Sequence, residues 1–308
     1  KEPRKIGGYL IWVSLAATCV TSSMFFTGLA PNLLAMETAT KSGVEAISWF
    51  GWFMAFLPAG IILFIATPYL TYIFYPPTSK GSKEASIWAG EELKKIGSIT
   101  SKEWSMIGLA FFALIFWIFG DFFNVNATTV ALSVMIAMVL LNIITWDDVL
   151  TNKAAWGVLA WFGSLVTLAG GLKNVGFLNF IAFIGGKYLR TFGAIDAMFG
   201  LVVLFYLLLY FFASTTAHVT ALLALFITVA GTIQGIDIRQ FTLFLMLSLG
   251  IMGIITPYGT GPSPVWFGSG YISGKDFWKL GFIFGMIYLV VFLVVCIPWV
   301  QYVAYRWL

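Results

Sequence analysis

TSSMFFTGLAPN (residues 21–32) and TPYGTGPSP (residues 256–264), the second followed by Gly268-Ser269-Gly270, decide how this chain folds. Each sits inside a long apolar run, yet neither reads as continuous helix. Proline lacks an amide donor and clashes with the preceding turn, while glycine permits open backbone. Pro257, Pro262 and Pro264, with the glycines around them, are expected to unwind one span, and Gly28 and Pro31 another. Both stretches contain Thr-Gly-x-[Ala/Ser]-Pro, at 27–31 and 260–264, and each is followed by an apolar span led by a tryptophan, Trp49 or Trp278.

The setting of these breaks is a membrane. Hydrophobic residues make up 60% of the 308, charged residues only 10%, and mean hydropathy is +0.94. A soluble domain keeps roughly a quarter of its residues charged. A span needs about 20 mostly apolar residues, and stretches such as 104–120, 128–144 and 280–303 supply them. The class expected is therefore an all-α polytopic membrane protein. Cys19 and Cys296 lie inside apolar spans, which argues against a disulfide framework. The net charge of +4 does not point to nucleic acid, because the basic residues lie between the apolar runs, where they set orientation. The first apolar run is too long and too interrupted for a signal peptide, and with no initiator methionine the sequence is expected to begin inside a longer protein.

Spans are expected at 6–38 (interrupted), 49–75, 103–120, 128–144, 156–184, 194–233, 241–272 (interrupted) and 280–303. Residues 76–102 form a polar linker with a short interfacial helix, where Glu91, Lys94 and Lys95 put charge on one side. With the N-terminus inside, eleven Lys and Arg residues face the inner side (Lys1, Arg4, Lys5, Lys80, Lys83, Lys94, Lys95, Lys102, Lys153, Lys275, Lys279) and six the outer. On that count the broken spans cross in opposite directions. The organisation expected is the end of one inverted repeat over 1–75, the linker over 76–102, and a second repeat over 103–308. The second repeat carries a re-entrant hairpin at about 194–235 and the broken span at 241–272.

Interrupted spans at matching positions of two halves are the sequence sign of a transporter binding site. Unwound backbone in hydrocarbon must be buried in protein or line a cavity. Half-helix N-termini offer N–H groups to anions, and loosened carbonyls can hold a cation. A structural kink is the alternative for either break alone. The third polar feature is FFASTTAHVT (211–220), inside an apolar run, fitting a hairpin with a polar tip or one bent span. Ser214 and His218 would share a helical face. The hydroxyls could instead bond the preceding turn's carbonyls, and the chain's single histidine could be a structural donor. No second His, Cys or carboxylate stands near it at metal-ligand spacing. Carboxylates are sparse within the spans (Glu37, Asp121 and Asp237 lie at ends or in turns), so a carboxylate proton relay has few members. Lys173 is a candidate fixed cation or a snorkelling helix-end lysine.

Together the stretches at 21–34, 212–218 and 257–272 resemble the divalent anion/sodium symporter family, nearest its 2-oxoglutarate/malate translocators and citrate/succinate exchangers, over essentially all 308 residues. The resemblance implies an inverted-repeat fold with two re-entrant hairpins, a homodimer in the lipid bilayer and elevator-type alternating access. It implies secondary transport of di- or tricarboxylates by anion exchange or sodium symport, with no catalytic residue and no cofactor other than sodium ions. Family members carry Ser-Asn-Thr at each hairpin tip. Ser214-Thr215-Thr216 matches the second tip with threonine in place of asparagine, and with His218 this favours exchange over sodium coupling. Substrate-binding residues implied are Ser214, Thr215, Thr216, His218, Thr260, Gly261, Ser22 and Thr27. Cation-binding residues implied, if sodium is coupled, are Ala213, Ser214, Thr216, Gly259, Thr260 and Gly28. No first tip precedes residue 21, so the chain is expected to be the C-terminal two-thirds of a transporter and not to transport alone. An anion channel, or an intramembrane Ser–His enzyme, is the reading from another class.

Overall fold

The computed structural model describes residues 6–78, 83–123, 125–153, 155–156, 193–212 and 214–302, with scattered positions between 167 and 180. The expected span at 156–184, Lys173 and Ala213 lie wholly or largely outside the described residues. Among the described residues the regular structure is all helical. Five helical stretches among the described residues are long and apolar enough to cross a bilayer: Trp49–Phe74, Ser101–Ile118, Ala194–Phe211, Ile238–Ile255 and Gly274–Tyr302.

The chain divides into two compact units. One comprises Lys1–Pro77 and Phe162–Leu308, the other Thr78–Trp161. In the smaller unit, α4 (Lys83–Ile96) occupies the polar linker. Next, α5 (Ser101–Ile118) starts at a reciprocal cap between Thr100 and Glu103. A single turn, α6 (Gly120–Phe123), leads to α7 (Ala127–Leu140), which packs on α5, and α8 (Trp146–Thr151) opens with a second reciprocal cap, Thr145 with Asp148. Such caps satisfy amides that a helix start leaves unpaired.

The larger unit carries the polar features. Helix α1 (Gly8–Met24) stops, a 3-10 turn covers Phe26–Gly28, and α2 (Ala30–Lys41) resumes with proline in its first turn. Gly43, at φ +94°, turns the chain out of α2, a conformation glycine adopts without steric cost. Ser48 caps α3 (Trp49–Phe74). A helical hairpin follows: α9 (Ala194–Leu208), a 3-10 turn at Leu209–Phe211, then α10 (Thr215–Ala230), capped by Ser214. Asp237 caps α11 (Ile238–Met252), which breaks through a 3-10 turn at Gly253–Ile255 and an open loop before the short α12 (Ser263–Gly268). Last come α13 (Gly274–Val291), a π-helical stretch at Phe292–Cys296, and α14 (Ile297–Tyr302).

Helix α11 is the centre of this unit. From Phe241 to Met252 every residue is buried, and α1, α2, α9, α10 and α13 all pack on it. With no water to drive apolar surfaces together inside a bilayer, such packing depends on close approach and satisfied polar groups. Gly250 supplies the approach: a Cβ there would overlap Ser23 N and stand 2.7 Å from Cys19 O. Ser23 Oγ accepts from Ile251 N at 2.9 Å beside it. Cys19 lies near Gly253 while Ser22 and Ser23 lie against Gly250 and Ile251, so α1 and α11 run antiparallel where they cross.

Candidate functional site

Both breaks appear at the residues where proline and glycine place them. At the first, α1 ends with Phe25 extended (φ −110°, ψ 122°) and Leu29 is extended again before α2. Side-chain donors meet three of the carbonyls at this break, those of Ser22, Ser23 and Phe25. Asn32 is fully buried, and its Nδ2 donates to Ser22 O (2.8 Å) and Phe25 O (3.3 Å), closing the two half-helices on each other. Trp52 Nε1 donates to Ser23 O at 2.8 Å and Trp49 Nε1 to Thr27 Oγ1 at 3.3 Å. Phe25, Trp49 and Phe53 stack beside the break at 5.6–6.0 Å between ring centres. Gly28 and Ala30 remain exposed, Thr27 is half-buried, and Ser22 is buried.

The second break is held from outside. Thr256 is extended (φ −135°, ψ 150°), and Gly259 folds back so closely that a Cβ on it would stand 2.6 Å from Gly253 O. Thr260 Oγ1 and Ser263 Oγ pair at 2.6 Å, both buried. The hairpin tip docks here: Thr215 N–H donates to Gly259 O at 2.9 Å, and Thr215 Oγ1 donates to the same carbonyl. Two stretches 44 residues apart in sequence thus form one polar surface. Thr216 and Ser214 are half-buried and Gly261 is exposed.

The tip itself is braced within the hairpin. Ser214 Oγ accepts from Ala217 N at 3.2 Å, capping α10. His218 is fully buried, its ring edge-on to Phe205 and Phe212, and its Nε2 bonds Phe205 O of α9 at 2.8 Å. Helix α10 also packs along α2, the half-helix that leaves the first break. Ser214, Thr215, Thr216, Gly259, Thr260 and Gly261 therefore gather where the tip meets the second break. Ser22, Thr27 and Gly28 stand at the first break, which begins six residues beyond the Cys19–Gly253 contact, about 9 Å along the helix axis.

Several of these residues carry roles that reading along the sequence passed over. Asn32 stood in the quoted stretch, directly after Pro31, without a role, and so did Ser23. Trp49 reads only as a span start, and Trp52 has no role in the sequence reading. Ser263 registered only as the small residue in Thr-Gly-x-Ser-Pro. The available signal was polar side chains within two turns of each proline, since broken helices need nearby donors. Among the described residues no group of three or more His, Cys, Asp or Glu is placed to hold a metal ion.

What this arrangement offers is a neutral polar surface of hydroxyls, exposed glycine backbone and a helix start, within a helical membrane protein. Comparison with known proteins finds relatives over nearly the whole chain. The L-tartrate/succinate antiporters of Escherichia coli (strain K12), Shigella boydii (serotype 4, strain Sb227) and Shigella sonnei (strain Ss046) are each 42% identical over 300 residues, 97% of this chain. The chain spans 61% of the length of these relatives. The family described as the sodium:sulfate symporter transmembrane region matches residues 1–305. This chain is an all-α integral membrane protein, and it belongs to the family described as the sodium:sulfate symporter transmembrane region.

Proposed function

We propose that the chain forms the larger part of a secondary transporter that exchanges dicarboxylates across a bacterial inner membrane. The observation that carries this reading is the docking of the hairpin tip onto the second break through Thr215 and Gly259. A purely structural kink needs no partner from a hairpin, whereas a site assembled from two elements can close around a guest. The antiparallel crossing of the broken helices at Gly250 supports an inverted pair of repeats. The succinate and tartrate named for the relatives fit a site made of hydroxyl and amide donors.

In mechanism, one carboxylate meets Thr216, Ser214 and the Gly261 backbone at the tip and second break. The other reaches toward Thr27 and Gly28 at the first. The start of α10 adds its partial positive charge. The hairpin and the broken helices carry the anion between the membrane faces as one body while neighbouring spans stay still. The assembly works as a homodimer in the bilayer.

Counterflow tests this. The intact natural polypeptide carrying this sequence, reconstituted into liposomes loaded with unlabelled succinate, is expected to take up labelled succinate or tartrate. Empty liposomes are expected to take up little. Equal uptake into loaded and empty liposomes would describe a channel and end the exchange reading.

A further inference from the structure

The tryptophan that leads the span after each break meets that break at the same place in the motif. Phe25 stands two residues before Thr27 of the first Thr-Gly pair, and Tyr258 two residues before Thr260 of the second. Trp49 stacks on Phe25 with ring centres 6.0 Å apart, and Trp278 meets Tyr258 edge-on at 6.1 Å. One contact at one offset in both copies marks it as part of how a break is held rather than as chance packing. The third ring differs. At the first break it is Phe53, from the same helix as Trp49 and stacked on both other rings. At the second it comes from the hairpin: Tyr210 stacks on Trp278 at 6.3 Å, with the planes 20° apart.

Tyr210 lies in the 3-10 turn that leads into the tip, and Tyr258 precedes Gly259, whose carbonyl receives Thr215. Trp278 therefore touches both sides of the junction where the tip docks, and its own helix is fixed. Ser273 caps α13, and a Cβ at Gly281 would stand 2.9 Å from Ile254 O. Tyr206 Oη of α9 donates to Gly285 O at 3.0 Å, and Tyr288 Oη and Thr67 Oγ1 of α3 share a 2.6 Å bond. Trp278 is 42% exposed, so its removal opens the junction rather than emptying a core.

We infer that Trp278 is a positioning residue: from the fixed start of α13 it clasps the hairpin tip to the second break through Tyr210 and Tyr258, and so sets how firmly the site is assembled before a dicarboxylate arrives. The ring acts on the anion through the tip, without touching it. The consequence for affinity rests on the exchange reading; the clasp itself does not.

The test uses the intact natural polypeptide carrying Thr216→Cys, alone and with Trp278→Ala, Trp278→Phe, Tyr210→Ala or the Trp278→Ala/Tyr210→Ala pair. Maleimide labelling at residue 216 is read by peptide mass without substrate. Trp278→Ala is expected to speed it about fivefold, the factor one aromatic pair supplies. Trp278→Phe is expected to restore most of the protection. Tyr210→Ala is expected to resemble Trp278→Ala, and the pair to add little to either, because both remove one contact. Should Trp278→Ala fail to fold, Tyr210→Ala against Trp278→Phe carries the comparison. In succinate counterflow, with Thr216 intact, Trp278→Ala is expected to raise KM by up to the same factor at an unchanged maximal rate, since saturating succinate draws the tip back into place. Unchanged labelling in folded Trp278→Ala and Tyr210→Ala variants, a phenylalanine that restores nothing, or full additivity of the pair would each overturn the clasp. A maximal rate that falls at constant KM would overturn its role in affinity. If the wild type exchanges no dicarboxylate, the exchange reading fails, and substrate-free labelling still decides the role of Trp278.

Discussion

Replacing Gly250 with alanine asks whether the two broken helices touch backbone to backbone. In an open helix this change stabilises by about 0.5–1 kcal/mol, because glycine loses more conformational freedom on folding. Here the added Cβ would overlap Ser23 N and lie 2.7 Å from both Cys19 O and Ser22 C, all backbone atoms that cannot rotate away. Ordinary contact begins near 3.4 Å, so α1 must retreat from α11 by about 0.7 Å or more. Overpacking of that kind costs about 1–3 kcal/mol. The retreat also stretches the Ile251 N–Ser23 Oγ bond, worth about 1 kcal/mol. The net expectation is destabilisation by about 1–3 kcal/mol, opposite in sign to the intrinsic preference. Gly200 on α9, where a Cβ would meet nothing within 4 Å, is the control. Thermal midpoints in mild detergent, followed by fluorescence-detected gel filtration, compare the two. Gly200→Ala is expected to hold or raise the midpoint and Gly250→Ala to lower it. If Gly250→Ala is as stable as Gly200→Ala, the helices do not cross there in contact and the geometry of both breaks is wrong.

Two further substitutions separate brace from ligand. Asn32→Ala leaves Ser22 O without its buried donor and should lower stability by about 1–3 kcal/mol in substrate-free protein; an unchanged midpoint would mean that the half-helices are not held by this amide. His218→Ala opens space between Phe205 and Phe212 and orphans Phe205 O. It should cost about 2–4 kcal/mol without substrate, whereas a full-stability variant that loses only substrate affinity would make His218 a ligand.

The breaks were legible because proline and glycine act locally: the forbidden turn at Pro31 or Pro257 needs no knowledge of the rest of the molecule. The hairpin was legible for a similar reason, since FASTTAH interrupts an apolar run and Ser214 is a helix-capping type. What resisted reading depends on approach between distant segments. Nothing near Thr215 marks Gly259 as its acceptor, and nothing near Gly250 marks Ser23 as its neighbour. His218 shows the limit within a single motif. Its spacing from Ser214 suggested a shared face, yet the ring turns across the hairpin to Phe205 O because that buried carbonyl needs a donor. Hydropathy likewise identified α11 as a span without revealing that it lies at the centre of its unit rather than against lipid.

The most direct measurement of the central claim is protection of one position at the tip. Cys19 and Cys296 are both buried, so Thr216→Cys places a single half-buried thiol of this chain where the hairpin meets the second break. Its rate of labelling by a maleimide is measured in membranes with rising succinate or tartrate. A site made of the tip and the breaks predicts that a dicarboxylate slows labelling along the same concentration curve that saturates exchange, and that a monocarboxylate of similar size does so less. Labelling that no dicarboxylate alters, in a protein that still exchanges one, would show that the anion binds elsewhere.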